Sequence, residues 1–161
     1  MINEWHDFFV VTGGAAAALT GLIFVGVSLN LTKILSFTSL PNRALLSLVL
    51  LLNILITSIL FLIPAQTNLI LGTEVLIIGI TLYAVIIRLD ISNYKSTPEK
   101  YKKQYRMHIF VDQFAGLPYL LCGLAILYWG EKGIYMIVPG ILFSFFKAAF
   151  DAWVLLIEIN R

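Results

Sequence analysis

Five apolar stretches, each about as long as a membrane-crossing helix, constrain this chain more than any other feature of its sequence. They cover approximately residues 8–31, 44–63, 69–91, 107–129 and 133–159. A helix rises 1.5 Å per residue, so about 20 residues cross the roughly 30 Å hydrocarbon core of a bilayer. A soluble fold of 161 residues could not bury so much apolar surface. The sequence therefore predicts an all-α, integral membrane bundle of five transmembrane helices, forming a single domain over residues 1–161.

Composition agrees with a membrane location, since 60% of the residues are hydrophobic and only 12% are charged. Typical soluble domains carry about 25% charged residues. The third stretch is the weakest of the five, because Glu74 and Arg88 leave only 13 uncharged residues between them. The helical rise between these two charges is about 21 Å, so both can reach outward to opposite boundaries of the membrane. If this segment does not cross, the C-terminus changes sides.

The basic residues predict an orientation for the five spans. Nine of them fall on the side that holds the basic loop 92–106 and the C-terminus, whereas Lys132 alone falls on the other side. Because cytoplasmic loops of membrane proteins are enriched in Lys and Arg, the sequence predicts a cytoplasmic C-terminus and an N-terminus outside. The nine are Lys33, Arg43, Arg88, Lys95, Lys100, Lys102, Lys103, Arg106 and Arg161.

Small residues recur at helical spacing in the first stretch. One series is Gly13, Ala17 and Gly21, and the other is Gly14, Ala18 and Gly26. Small side chains let helix backbones approach closely, and such contacts hold helices together in lipid. The pattern predicts a close helix contact but leaves its partner open. The contact can lie inside the protomer, it can join protomers into a homo-oligomer, or the helix can line a pore.

A lysine and an aspartate deep in the fifth stretch are the most informative polar residues. Lys147 lies 13 residues beyond Ile134, about 20 Å from the predicted outer boundary. Asp151 follows one turn later, so the two side chains can pair. A second pair, Arg88 with Asp112, is expected because charges inside a membrane are costly unless they are paired or hydrated.

Other polar residues are expected in the same slab of the membrane, namely Gln113, Asp90 and Asn53. Three interpretations of this set remain open. It can be a structural salt-bridge network, or it can line a water-filled vestibule or an ion path. Alternatively, Arg88, Asp90 and Asp112 simply reach the membrane interface. His108 lies one turn before Asp112, and an ordinary interfacial histidine is favoured there over a metal ligand or a proton carrier.

The motifs of common enzymes are absent from the sequence. It has no HExxH, no cluster of His and Cys, and no serine nucleophile elbow, and Cys122 is its single cysteine. We therefore expect neither an enzyme, a metal site nor a cofactor. The leading hypothesis is conduction or transport of a small ion, with protons as one candidate. The alternative is a non-catalytic factor that regulates or assembles another membrane protein. Expected partners are the lipid bilayer, further copies of the chain and another membrane protein, but not nucleic acid.

The N-terminal part of the chain also carries a family resemblance. Residues 5–9 (WHDFF), the Gly/Ala-rich stretch after them, residues 20–31 (TGLIFVGVSLNL) and residues 40–44 (LPNRA) make up the similar region. Over about the first 65 residues, the chain resembles a family of small polytopic bacterial membrane proteins without assigned function. Some members bear a generic label as modulators of a membrane protease. The resemblance implies a bacterial plasma membrane location and brings no catalytic residues.

Overall fold

The computed structural model describes residues 2–37, 40–96, 99 and 102–159. All regular structure in these residues is helical, so the predicted all-α class is confirmed. The elements are α1 (Ile2–Leu29), α2 (Leu31–Leu35), α3 (Leu40–Leu62), α4 (Asn68–Ser96), α5 (Lys102–Trp129), a 3₁₀ helix (Gly130–Met136) and α6 (Ile137–Ile159).

Four segments of the described chain are long and apolar enough to cross a membrane, as expected of a multi-pass membrane protein. The fourth contains α5, the 3₁₀ helix and α6 in a single run. α4 extends beyond its predicted end at residue 91, since it continues to Ser96, and α5 begins at Lys102. The four segments are Trp5–Leu29, Leu40–Leu62, Asn68–Lys95 and Tyr105–Glu158.

Consecutive long helices run antiparallel. Phe9 near the start of α1 stacks on Phe61 near the end of α3, with ring centroids 4.3 Å apart. At the other end of the bundle, Asn42 at the start of α3 donates to the side-chain oxygen of Asn93 near the end of α4 at 2.7 Å. The main helix pairs are α1 with α3 and α4 with α5, and α6 packs between α3 and α5. We call the end that holds Asn42 and Asn93 the basic end.

α4 and α5 make a close contact through glycines spaced seven residues apart. These are Gly72 and Gly79 on α4, and Gly116 and Gly123 on α5. A Cβ atom built on Gly123 would lie 2.7 Å from the backbone nitrogen of Leu76, well inside van der Waals contact. The absence of a side chain at these positions is therefore what allows the two backbones to approach.

The small residues of α1 behave differently from those of the α4–α5 contact. A Cβ atom on Gly13 would lie 3.1 Å from the Cβ of Ser58, so Gly13 packs against α3 within the protomer. Gly14, Gly21 and Gly26 have open space where a Cβ would stand. Ala17 and Ala18 are likewise exposed. Packing inside the protomer thus accounts for only one of the six residues singled out in the sequence.

A sharp reversal after α5 returns the chain to form α6. Gly130 has a φ of 62°, a left-handed conformation that glycine adopts without steric cost and that commonly ends a helix. Gly133 then lies directly against α5, because a Cβ there would meet the carbonyl carbon of Ala125 at 2.4 Å. These two glycines place α6 beside α5, which brings the charged residues of the two helices together.

Candidate functional site

Three charged side chains meet inside the bundle at its basic half. Lys147 Nζ on α6 lies 2.9 Å from Asp112 Oδ1 on α5 and 2.5 Å from Asp151 Oδ2 on its own helix. All three residues are buried, with exposed fractions of 7% for Lys147, 4% for Asp112 and 1% for Asp151. A single buried ammonium group therefore forms ion pairs with two buried carboxylates.

Asp90 on α4 adds a third carboxylate beside this group. Its side chain is only 3% exposed and lies close enough to Asp112 for the two carboxyl groups to interact directly. The Tyr105 hydroxyl donates to Asp90 Oδ1 at 3.5 Å, and Gln113 Nε2 donates to Asp90 Oδ2 at 3.4 Å. We refer to Asp90, Asp112, Lys147 and Asp151 as the acid cluster.

The acid cluster carries more negative than positive charge. Arg43 on α3 is a second cation nearby, because it acts electrostatically on Asp151 and on Tyr105. Even with Arg43 included, three carboxylates face two cations, an excess of one negative charge when every group is ionised. A buried excess charge is costly, so a bound proton would stabilise this arrangement.

The structure brings together part of the predicted charge set and corrects the rest. Lys147 and Asp151 pair as the one-turn spacing predicts. The predicted pairing of Arg88 with Asp112 is wrong, since Arg88 is exposed and Asp112 contacts Lys147 instead. Residues two apart on a helix point about 200° apart, so when Asp90 faces the interior Arg88 must face outward. Asp90 is thus the residue of α4 that joins the cluster, and Gln113 approaches it from α5.

A row of buried polar side chains begins one turn from the acid cluster. Ser144 donates to the carbonyl oxygen of Ala115 at 3.3 Å, and the Tyr119 hydroxyl donates to Ser144 Oγ at 3.2 Å. The Asn53 side chain on α3 lies near the Tyr119 hydroxyl but makes no hydrogen bond to it. Asn53 was expected beside the charges, but it lies with Tyr119, which is about 10 Å further along α5 from Asp112.

The row continues along α3 towards α1. Thr57 lies one turn beyond Asn53, and both are buried. Ser58 Oγ lies 3.2 Å from Thr12 Oγ1, and Thr12 itself donates to the Phe8 carbonyl at 2.8 Å. The row thus reaches the half of the bundle opposite the acid cluster. We call Ser144, Tyr119, Asn53, Thr57, Ser58 and Thr12 the polar row.

Two atoms of the polar row lack hydrogen-bond partners. They are Asn53 Nδ2 and Thr57 Oγ1, both shielded from solvent. Buried polar atoms are almost always satisfied by protein groups or by ordered water. The middle of the polar row therefore has the chemistry of a site where water would bind and connect Asn53 with Thr57.

Other ionisable groups stand outside this arrangement. His108 is half-buried and makes no hydrogen bond to the cluster. It interacts electrostatically with Arg43, Lys147 and Asp112. At the surface of the basic end, the Glu99 carboxylate accepts a hydrogen bond from Lys102 and thereby raises the pKa of Lys102. Within the described part of the chain, no group of three or more His, Cys, Asp or Glu residues could hold a metal ion.

Sequence reasoning placed Asp90 in the same slab as the other charges without giving it a partner, and it missed Tyr105 and Arg43 as members of the site. Asp90 was considered for a salt-bridge network, for a vestibule or ion path and for the membrane interface, whereas Arg43 was counted only as one basic residue among nine. Residues two apart on a helix point to nearly opposite sides. If Arg88 had been known to face outward, this rule would have predicted that Asp90 faces the interior. Comparisons with protein-family models, with curated proteins and with solved structures find no match to this chain.

Proposed function

We propose that this protein moves protons across a membrane, or failing that another small cation, using the acid cluster and the polar row. The observation that carries the proposal is the buried excess of carboxylates over cations in the acid cluster. Ionisable residues buried in membrane-spanning helices characteristically mark ion pathways and proton relays. Asp90 lies at the edge of the cluster, where binding of one proton would balance its charge.

The polar row supports protons as the transported species. Hydroxyl groups such as those of Ser144, Tyr119 and Thr57 both donate and accept hydrogen bonds, which is the property that a relay requires. The unpartnered atoms of Asn53 and Thr57 mark the place where bound water would complete the connection. A route of this kind starts at the acid cluster and ends at Thr12.

The same proposal assigns five crossings and an orientation. The antiparallel order of α1, α3, α4, α5 and α6 supports five crossings, with α5 and α6 each spanning the bilayer. The nine-to-one distribution of basic residues supports a cytoplasmic location for the basic end. The resemblance of the first 65 or so residues to small bacterial membrane proteins supports a bacterial plasma membrane.

Proton movement is tested in liposomes that contain a trapped pH-sensitive dye. A potassium gradient with valinomycin sets the membrane potential, and the protein is expected to let protons enter faster than in protein-free liposomes. Asp90→Asn should lose most of this flux, because it keeps the shape of the side chain but removes the carboxylate. Asp90 makes no ion pair with Lys147, so this change leaves the pairs of Lys147 with Asp112 and Asp151 intact.

The matched control is Glu131→Gln, which removes a carboxylate from the 3₁₀ helix at the other end of the bundle. This variant should conduct like the wild type. Wild-type flux equal to that of empty liposomes would overturn the proposal. Flux of sodium or potassium without protons would retain the acid cluster as a cation path but exclude the proton relay.

A second candidate function, binding another membrane helix, rests on the exposed small residues of α1. Gly14, Ala17 and Gly21 lie on one side of α1 and are exposed, and a helix of a second copy or of another membrane protein could approach closely there. This surface suits a homo-oligomer or a factor that regulates or assembles a partner.

Because two glycines of α1 have different surroundings, substitutions at them distinguish a role in assembly from a role in folding. Gly21→Leu enters open space, so it should leave folding intact and reduce the size of the particle in mild detergent. Gly13→Leu should instead impair folding, because its side chain would collide with Ser58. An unchanged particle size for a well-folded Gly21→Leu variant would indicate that this side of α1 faces lipid.

A further inference from the structure

A cleft opens on the outer surface of the bundle between α4 and α5, near the basic end. Its volume is about 370 Å³, within the range of about 300–1,000 Å³ typical of small-molecule sites. Its walls are Ile87 and Ile91 from α4 and Ile109 from α5. Lys95 and Arg106 stand at its mouth, and both are exposed.

The surface inside the cleft is almost entirely apolar. Asp90 and Gln113 form its floor, but Asp90 is buried and takes its hydrogen bonds from Gln113 and Tyr105. The carboxylate therefore presents little polar surface to an occupant. Hydrocarbon contacts with the isoleucine walls dominate the interior of the cleft.

The charges at the mouth flank the apolar stretches of α4 and α5, which is the level where a bilayer crossed by these helices would place its phosphates. Lys95 lies four residues beyond the apolar stretch 69–91, and Arg106 directly precedes the apolar stretch 107–129. Glu99 is paired with Lys102 beside them, so the net positive charge at the mouth comes from Lys95 and Arg106. The isoleucines lie three to eight residues, or about one to two turns, further into the apolar stretches.

We propose that this cleft binds one anionic phospholipid, with its phosphate between Lys95 and Arg106 and an acyl chain along Ile87, Ile91 and Ile109. The cleft matches such a lipid in both charge and depth. A lipid places its phosphate at the membrane boundary, where the two basic residues would lie, and its hydrocarbon below it, where the isoleucines would lie. Basic residues at this level favour anionic over neutral headgroups. A bound acyl chain would cover the floor above Asp90 and separate the acid cluster from the surrounding bilayer. The proposal does not depend on proton transport.

The test measures lipid retention on the full chain after delipidation in a neutral detergent. Dioleoyl-phosphatidylglycerol and dioleoyl-phosphatidylcholine are added separately, and the bound lipid is counted by native mass spectrometry. The wild type should bind the glycerol lipid with a preference on the order of tenfold. The double variant Lys95→Gln/Arg106→Gln should lose this preference.

The control double variant, Lys33→Gln/Lys132→Gln, removes the same charge from exposed residues outside the cleft and should keep the preference. Ile109→Trp fills the apolar part while retaining both cations, and it should reduce binding of both lipids at the site. This variant decides the question if the double cleft variant does not fold. Equal binding of the two lipids by the wild type would overturn the proposal. Behaviour of the cleft variants identical to that of the control would also overturn it.

Discussion

Lys147 is the residue on which the acid cluster depends, because its ammonium group pairs with both Asp112 and Asp151. Two buried carboxylates thus share one cation, and removal of that cation leaves both without a cation in contact. Removing one member of a buried ion pair typically costs about 3–5 kcal/mol, whereas replacing all members by apolar groups is often neutral. The energetic role of Lys147 is therefore separable from its chemical role.

We predict that Lys147→Met lowers the free energy of unfolding by about 3–5 kcal/mol. The triple variant Asp112→Ala, Lys147→Met and Asp151→Ala should recover most of this loss, because no pair is left half-broken. Unfolding by SDS titration in detergent micelles measures both changes. Lys103→Met, an exposed substitution on the same helix as Asp112, is the control and should change stability by less than about 0.5 kcal/mol.

A triple variant that is no more stable than the single one would contradict this interpretation. If the triple variant is stable but no longer moves protons, the charges serve transport. If it is stable and still moves protons, these three residues have no part in the mechanism.

At the level of single residues, contacts between side chains on the same helix could be predicted from the sequence. Which side of each helix faces its neighbours could not. Lys147 and Asp151 meet because residues four apart on one helix are neighbours wherever the helix packs. The partner of Asp112 depends on which sides of α5, α4 and α6 face one another. The sequence placed Arg88 and Asp90 at one depth, but only packing determines that Asp90 faces inward.

At the level of elements, the α4–α5 pair is held by glycines that the sequence analysis did not single out. Gly72 with Gly79 and Gly116 with Gly123 are each spaced by seven residues, so each pair lies on one side of its helix. The sequence instead predicted a close helix contact for the Gly/Ala-rich stretch of α1, although most of its small residues face outward. The seven-residue spacing of glycines in both α4 and α5 was the sequence signal that could have predicted this contact.

We predict opposite effects of alanine at two glycines. Gly123→Ala should destabilise the fold by about 1–3 kcal/mol, because the added methyl group would overlap the backbone of Leu76 and force the helices apart. Gly14→Ala has open space, and it should be neutral or stabilising by up to about 1 kcal/mol, since alanine favours helix over glycine. Thermal unfolding followed by circular dichroism in detergent measures both. Equal shifts in the same direction would show that the α4–α5 contact is looser than described.

At the level of the whole molecule, the helix bounds followed from apolar length, because a bilayer demands uninterrupted hydrocarbon surface. The predicted stretches begin and end within six residues of the bounds of α1, α3 and α4. The order in which the helices pack was beyond the sequence, since lipid and protein interiors are equally apolar and do not distinguish the faces of a helix. The placement of α6 beside α5 depends on the reversal at Gly130 and Gly133.

The topology prediction uses two exposed lysines that five crossings would place on opposite sides of the membrane. Lys103 lies near the start of α5 at the basic end, and Lys132 lies in the 3₁₀ helix at the other end. Each is changed to cysteine in a Cys122→Ala background, because Cys122 is the chain's single cysteine. A membrane-impermeant maleimide should label Lys132→Cys on intact cells, and should label Lys103→Cys only after the membrane is opened. The nine-to-one distribution of basic residues sets this expected direction. Labelling of both positions on intact cells would mean that α5 does not cross, and the polar row would then have no second compartment to reach.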